Sequence, residues 1–280
     1  NYLPLVGPVL ALSWWVWTLQ PGGASRRIAL TALGGYTLLL AAMLWQLTTL
    51  WGQPLIAAEL WARRHPDSPR ATHFLATSYL AVGNVNTARQ ILERAAHARP
   101  ASVGITLMAL PLTCKNGDPD ATRALYRLAE AHAATGEYSG AGANSLSRLR
   151  EMLKQGQCLG LERADLRALA DRLMANPLYV AFGRRLGHLQ YIQSELYRDE
   201  RDLDGTLRHL HAAYAADPDI GAIALIVGTL LSAGLHDEAR TFLEQAQRDL
   251  PLNPVLRIEW RKIIGQLWEV VNGRQAPAPP

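Results

Sequence analysis

Two cysteines and a pair of histidines are the residues best suited to chemistry, and their spacing limits what that chemistry is. Cys114 and Cys158 are the only cysteines among 280 residues. Cys114 precedes an Asn116-Gly117-Asp118-Pro119 turn, and Cys158 follows Lys154-Gln155-Gly156-Gln157. Two antiparallel helices, over 119–136 and 141–155, would return the chain to its start and make the thiols neighbours, as a disulfide requires. An oxidising compartment permits the bridge, whereas a cytoplasmic array would keep two free thiols. No CxxC or matching histidine spacing accompanies them, so the pattern gives no zinc site. His209 and His211 stand two apart, a spacing that points side chains to different sides of a helix. They read as surface histidines, not a chelating pair. Gly140-Ala141-Gly142 follows no strand and leads to no GK[ST] or GxGxxG, so it is no phosphate loop. Spacing alone builds no Ser/His/Asp arrangement. No catalytic residue, metal site or cofactor is therefore assigned.

The elements that position these residues come in a definite order, apolar first and amphipathic afterwards. Residues 1–51 carry almost no charge beyond Arg26 and Arg27. Ile28 to Trp51 is a run of 24 residues without a charged side chain, long enough for a tilted helix to cross a bilayer. Trp45 and Trp51 near its end fit an interfacial belt. Residues 2–19 are also apolar, with Pro4 and Pro8 early and Trp14, Trp15 and Trp17 late. With Gln20 to Arg27 as the turn, residues 1–52 read as a transmembrane helical hairpin, not a cleaved leader. Since the chain starts at Asn1 without a methionine, it reads as the tail of a longer membrane protein. Arg26 and Arg27 would hold the turn in the cytoplasm and set the array outside, although Arg63 and Arg64 weaken that asymmetry. The expected location is a bacterial inner membrane with a periplasmic helical domain.

From Pro69 the chain carries the spacing of tetratricopeptide (TPR) repeats, 34-residue helix pairs with fixed small and large positions. Counting from Pro69 gives Leu75, Ala76, Tyr79, Gly83, Ala88, Leu92, Ala95 and Pro100. Counting from Ile220 gives Ile226, Val227, Leu230, Gly234, Ala239, Leu243, Ala246 and Pro251. A degenerate copy starts at Gly187 and keeps Tyr197 and Ala213, but Arg201 stands at the turn glycine and Thr206 at the alanine. Residues 119–175 keep helical periodicity without the repeat spacing; Asp118 is a candidate N-cap there. The predicted fold is all-α: a transmembrane hairpin (1–52), then a TPR-like solenoid. The solenoid divides into a first helical pair (53–102), an irregular helical segment with the cysteine pair (103–178), further repeats (179–253), and a capping helix with a disordered tail (254–280).

Such an array binds a peptide or partner helix along its concave face. First-helix positions predict that face at Arg70, His73, Thr77 and Leu80, and again at His188, Tyr191, Glu195 and Arg198. The net charge is +4, from 28 basic and 24 acidic residues interspersed along the chain, with a pI of about 9.2. A nucleic-acid binder gathers its excess into one stripe; here the arginine pairs are scattered. The expected partners are a protein and a membrane, not nucleic acid.

Several residues in the first hundred resemble one family. They are Asn1-Tyr2-Leu3-Pro4-Leu5-Val6-Gly7 leading into a membrane helix, Leu50-Trp51, Glu59-Leu60-Trp61, and Pro66-Asp67-Ser68-Pro69-Arg70-Ala71 at the start of the first repeat. This pattern is similar to the carboxy-terminal part of bacterial TPR-containing protein O-mannosyltransferase-like enzymes, membrane glycosyltransferases of the GT-C class. The resemblance implies the non-catalytic tail of an enzyme using lipid-linked sugar, with the array recruiting or presenting an acceptor protein. That family's catalytic acids lie amino-terminal to anything in this chain, so no residue here receives the role. The alternative is a membrane-tethered scaffold for an envelope assembly such as a pilus or secretion machine.

Overall fold

The computed structural model describes residues 24–273, together with Leu10, Ala11, Trp14 and Thr18. All regular structure among them is helical. The chain divides into two units, residues 1–71 and 72–280.

In the first unit, α1 spans Ala24–Trp51 and α2 spans Pro54–Arg64. Among the described residues, one helix is long and apolar enough to cross a bilayer: the 25-residue stretch Arg27–Trp51 of α1, none of it buried inside the protein. At 1.5 Å per residue it reaches roughly 37 Å. Thr31, Thr37 and Thr49 return their hydroxyls to carbonyls four residues back, and Thr48 to one three residues back. The helix thus satisfies these threonine hydroxyls itself. The first arm of the expected hairpin, residues 2–19, lies almost wholly outside the described residues, as does the expected tail, 275–280.

The array consists of helix pairs in which a residue of positive φ follows each first helix. Helix α3 (Pro69–Ala81) ends at Gly83, which has φ +79°, and α4 (Val85–Ala98) follows. The Gly83 N–H donates to Leu80 O and the Asn84 N–H to Tyr79 O, at 3.0 and 2.9 Å. That is the Schellman arrangement, which satisfies carbonyls orphaned at the helix end. A residue with positive φ then stands 34 positions on, Gly117 at +79°, between α5 (Val103–Asn116) and α6 (Pro119–His132). Ala109, Leu110, Thr113, Thr122, Tyr126 and Ala129 occupy the same relative places as Leu75, Ala76, Tyr79, Ala88, Leu92 and Ala95, and all six are buried. The segment expected to be irregular thus opens with a helix pair in the repeat register. The spacing went unseen because Thr113 and Thr122 fill slots usually held by apolar residues, and Pro111 stands inside α5, where proline is disfavoured.

Helix α7 (Gly140–Lys154) ends in the same hydrogen-bonded turn at Gly156, φ +67°. Its partner α8 (Arg163–Met174) starts seven residues after that glycine, not two. The five extra residues form the loop that holds Cys158. A short α9 (Pro177–Val180) follows. Buried Asn176 fixes it by donating to Ala133 O and Gly136 O, both at 2.8 Å. Gly104 and Gly142 let α5 and α7 meet backbone to backbone: a Cβ on Gly142 would lie 2.7 Å from the Gly104 Cα. The Gly-Ala-Gly run is thus a helix crossing.

The remaining pairs are α10 (Gly183–Asp199) with α11 (Leu203–Ala216), and α12 (Ile220–Ser232) with α13 (His236–Arg248); α14 (Pro254–Val271) follows. Asp118, Asp202 and Asp219 cap α6, α11 and α12 by accepting N–H bonds three residues on. Ile226, Val227, Leu230, Ala239, Leu243 and Ala246 form the core of the last pair, with Trp260 and Ile264 of α14 packed into the same cluster.

Arg201, at the degenerate turn, has φ +61° and is the only non-glycine residue with positive φ among the described residues. It makes the same two bonds, its own N–H to Arg198 O and the Asp202 N–H to Tyr197 O. A left-handed conformation costs an L-residue about 1–2 kcal/mol, partly offset by the extra chain entropy that glycine loses on folding. Arg201→Gly is therefore expected to raise stability by about 0.5–1 kcal/mol. Gly234→Ala, at φ +76° with nothing within 4 Å of the added Cβ, should lower it by about 1 kcal/mol. Urea midpoints of both variants check the pair, and equal effects of the same sign would refute the account.

Candidate functional site

Helices α10 and α12 are the first helices of neighbouring pairs, with α11 beneath them. Between them lies a groove of about 270 Å³. His188 and Tyr191 of α10 line one side, Leu225 and Gly221 of α12 the other, and Leu210 and Ala213 of α11 the floor. Arg184, Asp217 and Asp219 stand at its edge, with Arg184 and Asp217 paired loosely at 3.7 Å.

The local sequence explains the opening. Gly187 brings α10 close to the end of α11, where a Cβ would sit 3.1 Å from the Asp217 Cβ and 3.3 Å from Ala213 O. On α12 the inner-face positions are Gly221, Ala224, Gly228 and Leu231, and nothing lies within 4 Å of a Cβ built on Gly228. The register from Ile220 contained these four positions as it did those of α10; their lack of charge left them without a visible signal.

Burial lowers the His188 pKa, and its hydrogen bond with the Ala143 backbone only partly opposes this. The ring is therefore neutral at pH 7. Its Nε2 is buried without a hydrogen-bond partner among the described residues. Burial raises the Tyr191 pKa, with Glu195 adding to the effect, so its hydroxyl stays protonated and can donate. Neither residue has the geometry of a catalytic pair, and no group of three or more His, Cys, Asp or Glu able to hold a metal occurs among the described residues.

Of the residues expected on the binding face, Glu195 is buried inside the array, and the exposed Arg198 is paired with it. Glu195 is only 6% exposed and receives Arg150 of α7 at 2.7 Å and Arg198 at 2.6 Å. Arg150 also grips Asp199 through Nε and Nη2 at 2.7 and 2.8 Å. This knot joins α7 to α10. Thr77 returns its hydroxyl to His73 O and Phe74 O, and Leu80 packs against the core. Arg70 is exposed and His73 half-buried; none of these four lines the groove. His209 stacks on Tyr197 with ring centres 5.0 Å apart, while His211 meets Phe242 edge-on.

Cys114 and Cys158 are disulfide-bonded, with Cα atoms 4.6 Å apart across 44 residues of sequence. Cys114 sits in the last turn of α5, not in a loop, and Cys158 in the insertion after Gly156.

Stacked helix pairs closed by left-handed turns, with an open groove between first helices, define an α-solenoid of the tetratricopeptide type. No family model matches the chain, and no curated protein matches it. Among solved structures, TTC0263, a thermophilic TPR protein of Thermus thermophilus, aligns over 80% of this chain and 95% of its own, with 18% identity and a TM-score of 0.35. The P58(IPK) TPR domain aligns over 84% of this chain and 65% of its own, with 14% identity and a TM-score of 0.28.

The Arg150 knot gives two measurable consequences. Removing Arg150 leaves Glu195 to Arg198 and Asp199 to the more distant Lys154, both of them more exposed partners, so Arg150→Ala is expected to cost about 2 kcal/mol in a urea melt. Burial works against the charged form of Asp199, but the bond and charge of Arg150 outweigh it and hold the carboxyl below the usual range. A depressed folded pKa contributes stability above the ordinary Asp value near 4 and loses it as pH falls through the lower folded value. Asp199→Asn should therefore flatten the loss of stability between about pH 4 and pH 2. An unchanged acid limb would dissociate Asp199 from it.

Proposed function

We propose that this chain is a protein-binding array tethered to a membrane by α1, and that it takes an extended segment of its partner into the groove between α10 and α12. The observation that carries the reading is the groove itself. Its lining pairs an aromatic hydroxyl and a neutral imidazole with a small-residue α12 face that lets a partner backbone approach closely. Complexes of this kind gain affinity from a few buried anchors surrounded by polar contacts. No lysine lines the groove, and its arginine lies at the edge beside acidic residues. Recognition therefore rests on backbone and apolar contacts, not on capture of a carboxylate.

The finer setting we favour is the tail of a membrane glycosyltransferase that uses lipid-linked sugar, with the groove's occupant as its acceptor protein. The resemblance in residues 1–100 supports this setting. In the scaffold setting, the occupant would instead be a component of an envelope assembly.

A photo-crosslinking amino acid at Tyr191 should capture a discrete partner in cells, and the same probe at outward-facing Glu244 should not. Gly228→Arg, one turn beyond the groove-lining Leu225 on α12 and with nothing within 4 Å of the added Cβ, places a long side chain that can reach back along the groove; it should reduce the Tyr191 adduct at least about tenfold, a loss of roughly 1.4 kcal/mol or more, at unchanged thermal stability. Equal adducts from both probes, or no effect of the arginine, would remove the groove from the reading.

The compartment is tested through the cysteines. Cells quenched in acid, then denatured and treated with a polyethylene-glycol maleimide, should show no mobility shift unless the sample is first reduced. A shift without reductant would mean free thiols and would move the array to the cytoplasmic side.

A further inference from the structure

The second helix of the first unit, α2, supplies none of the residues that line the groove. Helix α2 starts at Pro54, two residues after Gly52 and three after the end of α1 at Trp51. A linker of two residues spans at most about 7 Å, so the start of α2 is held at the level where α1 ends. Its eleven residues give a length of roughly 16 Å, far too short to cross a bilayer.

The surface of α2 is unusual for a helix held at that place in water. Ala58 is fully buried, while Ile56, Leu60 and Trp61 are 52%, 38% and 40% exposed. Ile56 and Leu60 lie one turn apart and share a side. Arg63 and Arg64 follow in the last turn, both exposed. Glu59 meets Arg63 at 3.9 Å. An exposed apolar side, a tryptophan and terminal arginines on a short helix are the composition of a segment lying in the plane of a bilayer surface. Lipid is the occupant that the short linker brings within reach once α1 is in the membrane, and the arginines complement anionic headgroups.

We propose that α2 is an interfacial helix: Ile56 and Leu60 rest in the headgroup–acyl boundary of the leaflet where α1 ends, and Arg63 and Arg64 contact anionic lipid headgroups. This rests on the reading of α1 as a membrane span, and the experiment separates the two.

The full chain is reconstituted in vesicles of phosphatidylcholine and phosphatidylglycerol, with a benzophenone amino acid at Leu44, Ile56 or Leu60 in turn. Lipid adducts from all three positions are the expected result. The Leu60 adduct with phosphatidylglycerol should fall several-fold when Arg63 and Arg64 are both replaced by glutamate. Lipid adducts at Leu44 with none at Ile56 and Leu60, or with protein adducts there instead, would overturn the inference and leave α1 in the membrane. No lipid adduct at Leu44 would remove the membrane reading and this inference with it. A Leu60 yield indifferent to the charge reversal would overturn the headgroup contact.

Discussion

The first helix of each pair buries one face against the second, and in most pairs the chain reverses within two or three residues of the helix end. That reversal is made through one residue in the left-handed region, and at four of these turns two carbonyls of the finished helix are taken up by the next two N–H groups. The turns at Gly83, Gly156, Arg201 and Gly234 share both bonds. Once the turn is fixed, the phase of the next helix follows, and with it the side that faces the core. Ala88, Thr206 and Ala239 each lie five residues after such a turn, and all three are buried. The turn is the constraint, and the small buried residues are its consequence. An arginine at position 201 holds the same geometry because the helices on either side leave the chain no other path. Their packing outweighs a local cost of about one or two kcal/mol.

This order of cause explains which parts of the fold could be read from the sequence. The repeats from Pro69 and Ile220 were legible because glycine marks the turn and apolar residues fill the slots around it. The pair α5–α6 carries the same glycine at 34 residues' distance, yet its buried Thr113 and Thr122 look like surface residues. Their polarity is absorbed locally. Thr122 donates to Asp118 O, and Thr113 donates to Ala109 O and to Glu93. A hydropathy pattern cannot register a hydroxyl that its own helix satisfies. At α7–α8 the signal is lost to the inserted loop, which shifts every slot of α8 by five residues. That insertion carries Cys158, so the feature that broke the period also placed the disulfide.

The binding face shows the same difficulty in another form. Position within a repeat identifies which side chains point inward, and His188 and Tyr191 do line the groove. Position does not reveal whether a charged side chain already has a partner in the protein. Glu195 and Arg198 stand in the register of recognition residues, but Arg150 arrives from a helix about 45 residues earlier in the sequence and claims the glutamate. With 12% and 8% of their side chains exposed, Arg150 and Glu195 pair where a missing partner would leave a costly charge. They therefore act as a tie between helices. The small residues on α12 reverse the case: they are inconspicuous in sequence, yet they open the surface.

The tie and the groove share helix α10, which links stability to recognition. His188 and Tyr191 sit one turn apart, and Glu195 follows Tyr191 by another turn on the same side of the helix. Arg150 clamps that helix at Glu195 and Asp199, so the two groove residues are presented from a segment whose far end cannot slide. A partner entering the groove then meets side chains already ordered, and little conformational entropy remains to be lost on binding. The opposite wall has no such clamp. It presents Gly221 and Ala222 beside Leu225, so only one of its side chains has rotamers to order. Both walls therefore reach low entropic cost, one through a buried ion pair and the other by omitting side chains. A groove so prepared favours a partner that brings the flexible, adaptable component itself, which an extended peptide segment does.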